Sequence, residues 1–382
     1  DLQTAILKVK EAQAALMTSR LAYAPMLALS PQGTISSFDK SAATKTYSLP
    51  VTASWELDLF GNLLNAKRGS QVALLQTKAY RQAVQTQIIS GIANTYYTLL
   101  MLDKQLEISE QTADIMKRNV ETMRAMKDAG MTNAAAVAQS EAAYAQVIAS
   151  LPAIRQSIRE AENALCMLLR QAPQAIKRST LEEQQLPTQF SVGVPLQLLS
   201  NRPDVKAAEM NLASTYYNTN AARAAFYPQI TISGSAGWTN SAGSVIVNPG
   251  KLLASVVGSL TQPLFYRGSN IARLKIAKAQ QEEAKLAFQQ TVLNAGSEVS
   301  NALSLYQTTA EKTSARQLQV ESAEKGAEYT KELFNLGTST YLEVLSAEQS
   351  LLSARLSQVS DHFDRMQAVV SLYQALGGGR EN

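Results

Sequence analysis

The chain repeats itself, and this restricts its fold more than any single motif does. Setting residue n against n+203 aligns Asp1 with Asp204, Ala5 with Ala208, Arg20 with Arg223, Ala22 with Ala225, Pro25 with Pro228 and Ser30 with Ser233. At n+205, Leu59, Phe60, Asn65, Arg68, Ala79, Gln85, Thr86, Gly91 and Leu100 meet Leu264, Phe265, Asn270, Arg273, Ala284, Gln290, Thr291, Gly296 and Leu305. At n+207, Gly130, Val137 and Glu141 meet Gly337, Val344 and Glu348. The drift requires two small insertions, one between alternating stretches and one between 101 and 130. Six matches in one register, followed by two further runs, are the signature of an internal repeat. The expected division is a first copy at 1–190 and a second at 191–382.

Each copy opens on a helix. Residues 1–22 read as the end of one, closing at Tyr23-Ala24-Pro25, and the second copy has its counterpart over 201–226. There the start signal is Arg202-Pro203-Asp204. Pro203 suits the first turn, where its missing N–H is not needed. Asp204 and Glu209 favour the positive end of the helix dipole. That chemistry accounts for the motif as structure. Because Asp1 lies inside a helical pattern with no start signal, a further N-terminal stretch is expected before it.

The period then changes from helical to two. Tyr47, Leu49, Val51, Ala53, Trp55, Leu57 and Leu59 alternate with Ser48, Pro50, Thr52, Ser54, Glu56 and Asp58, a strand with one apolar and one polar face. Residues 26–36 form a weaker partner, giving two strands within 26–60. The second copy repeats the pair within 228–265: Ile230, Ile232, Gly234, Ala236 and Trp238, then Leu252, Ala254, Val256, Gly258, Leu260 and Leu264, with Gln262 breaking the row. A soluble sandwich strand would alternate in the same way. The length of the row and its aromatic ends point instead toward a membrane barrel. Four strands cannot close a barrel alone, so a barrel would draw on several chains.

Two long helical runs follow, 62–128 and 268–335, each succeeded by a glycine bend and a second run, 133–169 and 340–376. Phe288, Val292, Ala295, Val299, Ala302 and Tyr306 recur at spacings of four and three, a coiled-coil seam. At 1.5 Å per residue the long runs reach roughly 100 Å, the runs after the bends about 55 Å, and the 201–226 helix about 39 Å. One of each shorter kind stacked end to end matches a long helix. The Pro-, Gln- and Thr-rich segment 170–200 then links the copies at mid-height. The expectation is a strand layer continued by a helical tube longer than any bilayer is thick.

Composition narrows the chemistry. The chain has one Cys and one His, so there is neither a disulfide nor a Cys/His metal cluster to build. Cys166, in the apolar run ENALCMLL, reads as a buried structural thiol, and His362 as part of a solvated helix face. The sequence has no phosphate-binding glycine loop, no GxSxG and no run of about 18 apolar residues. No catalytic, cofactor-binding or metal-binding residue is assigned, and the chain is not read as an enzyme. A net charge of +4 without a basic, aromatic-interleaved block gives no nucleic-acid partner.

At Gly193-Val194-Pro195-Leu196-Gln197-Leu198-Leu199-Ser200-Asn201-Arg202-Pro203-Asp204-Val205, followed by Ala207-Ala208-Glu209, the sequence resembles the outer membrane factors, the TolC-like and OprM-like efflux channels of Gram-negative bacteria. Phe226-Tyr227-Pro228 and Leu336-Gly337 with Val344-Leu345-Ser346-Ala347 carry the resemblance onward, so that it covers essentially the whole chain. It implies an α+β membrane protein. Three chains, giving four strands each, would form a 12-stranded outer-membrane β-barrel, continued by a 12-helix coiled-coil α-barrel in the periplasm with a small equatorial segment. It also implies contact with outer-membrane lipid, and partners in a periplasmic adaptor and an inner-membrane pump, of RND type. The function implied is the exit duct of a tripartite efflux system for drugs or other small solutes.

OprM-like members close the periplasmic tip with a Leu-x-x-x-Asp-x-x-Arg pattern. The matching residues are Leu342, Ser346 and Gln349, so the acid and the arginine of that pattern are missing, while Glu343 and Glu348 lie nearby. Leu342, Glu343, Ser346 and Gln349 are the candidate aperture. Asp128, Gly130, Val137, Gly337 and Val344 mark the candidate adaptor-docking bends. Family members often carry a lipidated N-terminal Cys; Cys166, inside a helix, is not one. Alternative readings are a type I protein-secretion channel, a periplasmic coiled-coil adaptor and a pore-forming toxin. Adaptors carry one hairpin with small β domains, and toxins lack a matched second membrane hairpin.

Overall fold

The computed structural model describes residues 2–37, 42–184, 202–239 and 251–378. In chain order the elements are helix α1 (Leu2–Leu21), strands β1 (Met26–Leu29), β2 (Gln32–Ser36) and β3 (Thr44–Leu57), and helices α2 (Asn62–Asp128), α3 (Ala134–Leu168) and α4 (Pro203–Ala224). Strands β4 (Gln229–Thr239) and β5 (Lys251–Thr261) and helices α5 (Ser269–Asn335) and α6 (Tyr341–Ala375) complete it. Helices α2 and α5 are each 67 residues long, and α3 and α6 are each 35. Two compact units cut across the 190/191 division: Asp1–Gln82 with Pro203–Leu293, and Ala83–Arg202 with Asn294–Asn382. They do so because each long helix contributes to both.

The first unit holds one antiparallel sheet in the order β1-β3-β4-β5, with β2 also paired to β3. The single strand expected at 26–36 is therefore two, so 26–60 contributes three strands rather than two. Pro31 has no N–H to give to a ladder, and Pro50, across from the break, has none either. Ser30 donates its N–H to the Pro50 carbonyl at 3.1 Å, which keeps the two pieces on the same partner strand. Beside the sheet, α1 meets α2 through a 2.7 Å Ser19–Ser70 hydroxyl bond and through Lys8 lying 5.1 Å from the Tyr80 ring centre. Helix α4 meets α5 where Thr219 donates to the Ala277 carbonyl at 3.2 Å and Asn270 donates to the Ala225 carbonyl at 3.1 Å.

The second unit is helical, with cores set by heptad-like spacing. Ala295, Val299 and Ala302 of the expected seam are buried and Tyr306 is half-buried, while Phe288 and Val292, also half-buried, lie on the part of α5 that belongs to the first unit. Small side chains on this row allow close helix packing. A second cluster joins Leu100 and Ile108 of α2, Leu181 of the segment after α3, and Val359 and Met366 of α6. That segment is clamped by Arg178. Its guanidinium donates to Asp103 of α2, to buried Glu162 of α3 at 2.7 Å and to the Ile176 carbonyl at 2.9 Å. Two carboxylates raise the Arg178 pKa further above the usual arginine value, Asp103 contributing most. Cys166 is buried, as its apolar setting suggests.

Close approach fixes one glycine. A Cβ on Gly237 would lie 2.3 Å from the Leu49 carbonyl oxygen and 2.4 Å from the Pro50 Cα, both backbone atoms that cannot rotate away. Gly258 on β5 has nothing within 4 Å of its own added Cβ. Gly237→Val should therefore split β3 from β4 at a cost above the about 1–3 kcal/mol of ordinary overpacking, whereas Gly258→Val should be tolerated. The heat-modifiable mobility of unboiled membrane samples on a gel would check this pair of variants.

Candidate functional surfaces: the sheet face and the helical bends

Register gathers the apolar residues of all four strand positions onto one face of the sheet. Across it run Leu57–Ile230–Leu260, Trp55–Ile232–Gly258, Val51–Ala236–Ala254 and Leu27–Ala53–Gly234–Val256. The opposite face carries Thr52–Ser235–Ser255 and Glu56–Thr231–Ser259. There, Ser235 and Ser255 share a 2.8 Å hydroxyl bond and Thr52 donates to the Ala28 carbonyl at 3.2 Å. Among the described residues nothing covers the apolar face: Val256 is 81% exposed, Leu260 67% and Trp238 50%. Strands of 11 and 14 residues match the roughly 9–11 that a tilted membrane strand needs. Trp55 anchors the strand end by donating its indole N–H to the Tyr23 carbonyl at 2.9 Å. Among the described residues, β5 pairs only with β4, and β1 and β2 only with β3, so both sheet edges present unpaired backbone groups. No described helix is long and apolar enough to cross a membrane.

The two bends of the second unit are built alike. Gly130 and Gly337 both adopt φ of 75°, the left-handed region that ends a helix and favours glycine. After α2, Gly130 donates to the Lys127 carbonyl at 2.9 Å and Met131 to that of Met126 at 2.8 Å. After α5, Gly337 donates to Phe334 at 2.9 Å and Thr338 to Leu333 at 3.0 Å. The next helix starts at once. Asn133 caps α3 by accepting from the Ala136 N–H at 2.9 Å. At α6 the Glu343 carboxylate accepts the Thr340 N–H at 2.9 Å and the Ser339 hydroxyl. The Ser339 and Thr340 bonds hold the Glu343 carboxyl below its ordinary range.

The structure sorts the sequence candidates into two groups. Leu342, Glu343, Ser346 and Gln349 are all exposed at the start of α6, and Leu342, Ser346 and Gln349 share one stripe at spacings of four and three. Asp128 is exposed beside Gly130. Val137 and Val344 differ from the expectation that they mark a docking surface. Both are buried in the cluster with Met116, Met123, Tyr341 and Leu345, because their helix faces point inward. They hold the bends together, and the exposed surface there is Asp128, Gly130 and Gly337. Of the helix-start motif, Gly193–Asn201 lies outside the described residues. Arg202 is buried and donates to the Ala375 carbonyl at 2.8 Å and to Glu298 at 2.6 Å, tying the chain to the middle of α5 and the end of α6. Pro203 is the first residue of α4, and Asp204 accepts from the Val205 N–H at 2.9 Å.

Three side chains have surroundings that the sequence does not signal. Arg178 lies in a stretch without periodicity, so nothing signalled its clamp. Glu348 is half-buried on α6, with both carboxylate oxygens accepting from Asn119 of α2 at 2.8 Å. Burial pushes its carboxyl up, against the opposing effects of Asn119 and Lys331. His362 is half-buried rather than solvated. It lines a cavity of about 590 Å³ between α2, the Leu181–Glu182 segment, α5 and α6. Burial, aided by Arg365, pushes its imidazole below the ordinary value. Three ion pairs edge that cavity: Lys104–Glu182 at 3.0 Å, Arg316–Asp361 at 2.5 Å and Arg355–Glu324 at 2.7 Å. The charged run at 361–365 sits on a helix and gave no sign of a concave site.

An amphipathic sheet with an uncovered apolar face and two open edges, joined to glycine-capped helical hairpins, defines a class of outer-membrane channel subunits. The chain belongs to the outer membrane efflux protein family, whose profile matches residues 1–169 and 194–378. It is 31% identical to the cation efflux system protein CusC of Escherichia coli O6:H1, over 99% of this chain and 83% of CusC. The pyoverdine export outer membrane protein OpmQ of Pseudomonas aeruginosa is 28% identical over 99% of this chain and 82% of OpmQ. A crystal structure of CusC superposes with a TM-score of 0.91 at 30% identity, over 99% of this chain and 89% of that one. The fold is the α+β fold of the trimeric TolC-like channels, and the protein is an outer-membrane component of an efflux system in a Gram-negative cell.

Glu348 has a measurable consequence. Its raised value means that the folded chain binds its proton more tightly than the unfolded chain does. The stability it contributes is fully present below the ordinary carboxylate value of 4.5 and is lost as pH rises through the shifted value. Glu348→Gln carries no charge to desolvate and can still accept from Asn119. At pH 7 it should melt above the parent by about 1–3 °C, and the difference should close as the pH falls to 4.5. Thermal melts at both pH values check this, and a variant that melts lower at pH 7 would refute it.

Proposed function

We propose that three copies of this chain close a 12-stranded barrel and a 12-helix tube that form the passive exit duct of a tripartite efflux system. The observation that carries the reading is the sheet with two open edges: four strand positions are too few to close, and three sets of four make a small, even-numbered barrel. Closure would pair β5 of one copy with β1 and β2 of the next and turn the apolar face to lipid. We also read the chain as two copies of one unit, 1–190 and 191–382. The equal lengths of α2 and α5, and of α3 and α6, support that reading.

The cargo is a drug or another small solute, moved by an inner-membrane pump of RND type through a periplasmic adaptor. CusC and OpmQ are named for cargoes as unlike as a cation and pyoverdine, yet each matches nearly all of this chain. That supports a duct whose selectivity resides in the pump. In this reading Leu342, with Ser346 and Gln349 on the same exposed stripe, narrows the periplasmic tip, with Glu343 beside them. The two glycine bends form the surface an adaptor grips.

Light scattering of the detergent-purified full-length protein, after subtraction of the micelle, should give a protein mass near three times the 41.3 kDa chain. A monomer that stays soluble once detergent is removed would overturn the barrel. For the bends, Gly337→Glu places a side chain at φ of 75°, where L-residues are strained. It should abolish adaptor cross-linking and export while leaving the trimer mass intact. Export and cross-linking at parental levels would remove the docking role.

A further inference from the structure

The lining of the about 590 Å³ cavity in the helical unit contains four basic side chains and three acidic ones. Lys104, Arg316 and Arg355 each hold a carboxylate. Arg365 holds none. Its Nε is buried without a hydrogen-bond partner, and no ion pair reaches its guanidinium among the described residues. A guanidinium cannot shed its proton to escape this position, as a lysine or histidine can. His362, beside it in the lining, can carry only positive charge and so offers no countercharge. An unpaired, partly desolvated cation is costly, and the cost is relieved by a carboxylate that accepts two parallel N–H bonds from the planar fork. The cavity has room for such a group, being of the size that holds small ligands.

We propose that this cavity is a carboxylate-binding site, anchored by Arg365 and filled from outside the chain. The acid is either a free small carboxylate or an Asp or Glu side chain of a second copy of this chain. Both present the same planar anion to the same fork, and the ion pairs around the rim leave it as the one open cationic position among the described lining residues. The free-acid source is independent of the export reading, whereas the neighbouring-copy source rests on the trimer proposed there, whose failure the undiluted mass shows separately.

The test uses the purified full-length protein and Arg365→Met, which keeps most of the stem's packing and removes the charge. If nothing fills the site, losing an unpaired buried cation stabilises the protein. If a carboxylate fills it, the variant melts lower than the parent, by about 2–4 °C. Melts are run in sodium malonate and in sodium chloride at equal ionic strength, and trimer mass is followed on dilution. A free acid is indicated when malonate raises the melting temperature of the parent but not of Arg365→Met. A neighbouring copy is indicated when malonate has no effect and the variant trimer dissociates at higher protein concentration than the parent. The proposal fails if Arg365→Met melts at or above the parent. It also fails if the variant melts lower with no malonate response in the parent and no change in trimer dissociation. Should Arg365→Met not fold, Arg365→Lys, with its charge kept and its fork lost, takes its place in the dilution series. The malonate response of the parent is then the second readout. A parent without that response, beside an Arg365→Lys trimer that dissociates as the parent does, overturns the proposal.

Discussion

An antiparallel sheet leaves two demands on its surroundings, a medium for its apolar face and partners for its edge backbone, and here the chain satisfies neither by itself. The apolar residues of β1, β3, β4 and β5 line up in register, and a shift by one residue in any strand would move its whole set to the polar side. Register is therefore specified by the medium that covers the face. In water, Val256, Leu260 and Trp238 would make an aggregation site, and the open edges would template it. In lipid the face is satisfied but the edges are not, because no water reaches them there. Only closure meets both demands, and this is why the small sheet decides the environment of a chain that is mostly helix.

The helices meet their requirements differently. Their backbone bonds are internal, so what remains is to end each helix and cover one stripe of it. Gly130 and Gly337 end α2 and α5 with identical bonding, and Val137 and Val344 cover the inner stripe just beyond. Two buried charged side chains have partners within the chain: Glu162 accepts from Arg178, and Arg202 donates to Glu298 and to the Ala375 carbonyl at the end of α6. These bonds join segments distant in sequence, and they hold connecting chain that has little apolar surface of its own.

Periodicity made the elements legible. The alternation from Tyr47 to Leu59 and the four-three spacing near Phe288 each carry many residues, so the strand face and the helix seam stood out without any contact being known. The break at Ser30-Pro31 was less visible, because it depends on Pro50 lying across the sheet, and pairing is not written in one strand. Val137 and Val344 follow the two bends and face inward, which a repeat match does not reveal, because it locates a position without saying which way it faces. Glu348, Arg178 and Arg365 were missed for a common reason. A single polar residue on a helix or in a loop has no period, and its environment includes residues distant along the chain, as with Arg178 and Asp103, 75 positions apart.

The repeat partners Glu141 and Glu348 show how two matching halves come to differ in their physics. Glu141 accepts from Arg124 at 2.6 Å in an exposed pair, which is worth little and is screened by salt. Glu348 faces Asn119, a neutral amide, and is half-buried, so that desolvation outweighs its hydrogen bonds and its carboxyl rises. A cation neutralises the first acid at any pH where it is ionised. The second acid is left with a dipole that can support either protonation state. The same residue type at the same place in each hairpin therefore contributes an exposed ion pair after one bend and a half-buried carboxyl with a raised pKa after the other. The helix that carries the second is also the one whose first turns bear the exposed Leu342, Ser346 and Gln349 stripe. The contact between α6 and α2 at Asn119 is therefore the one of the two that carries the cost of burying a carboxylate.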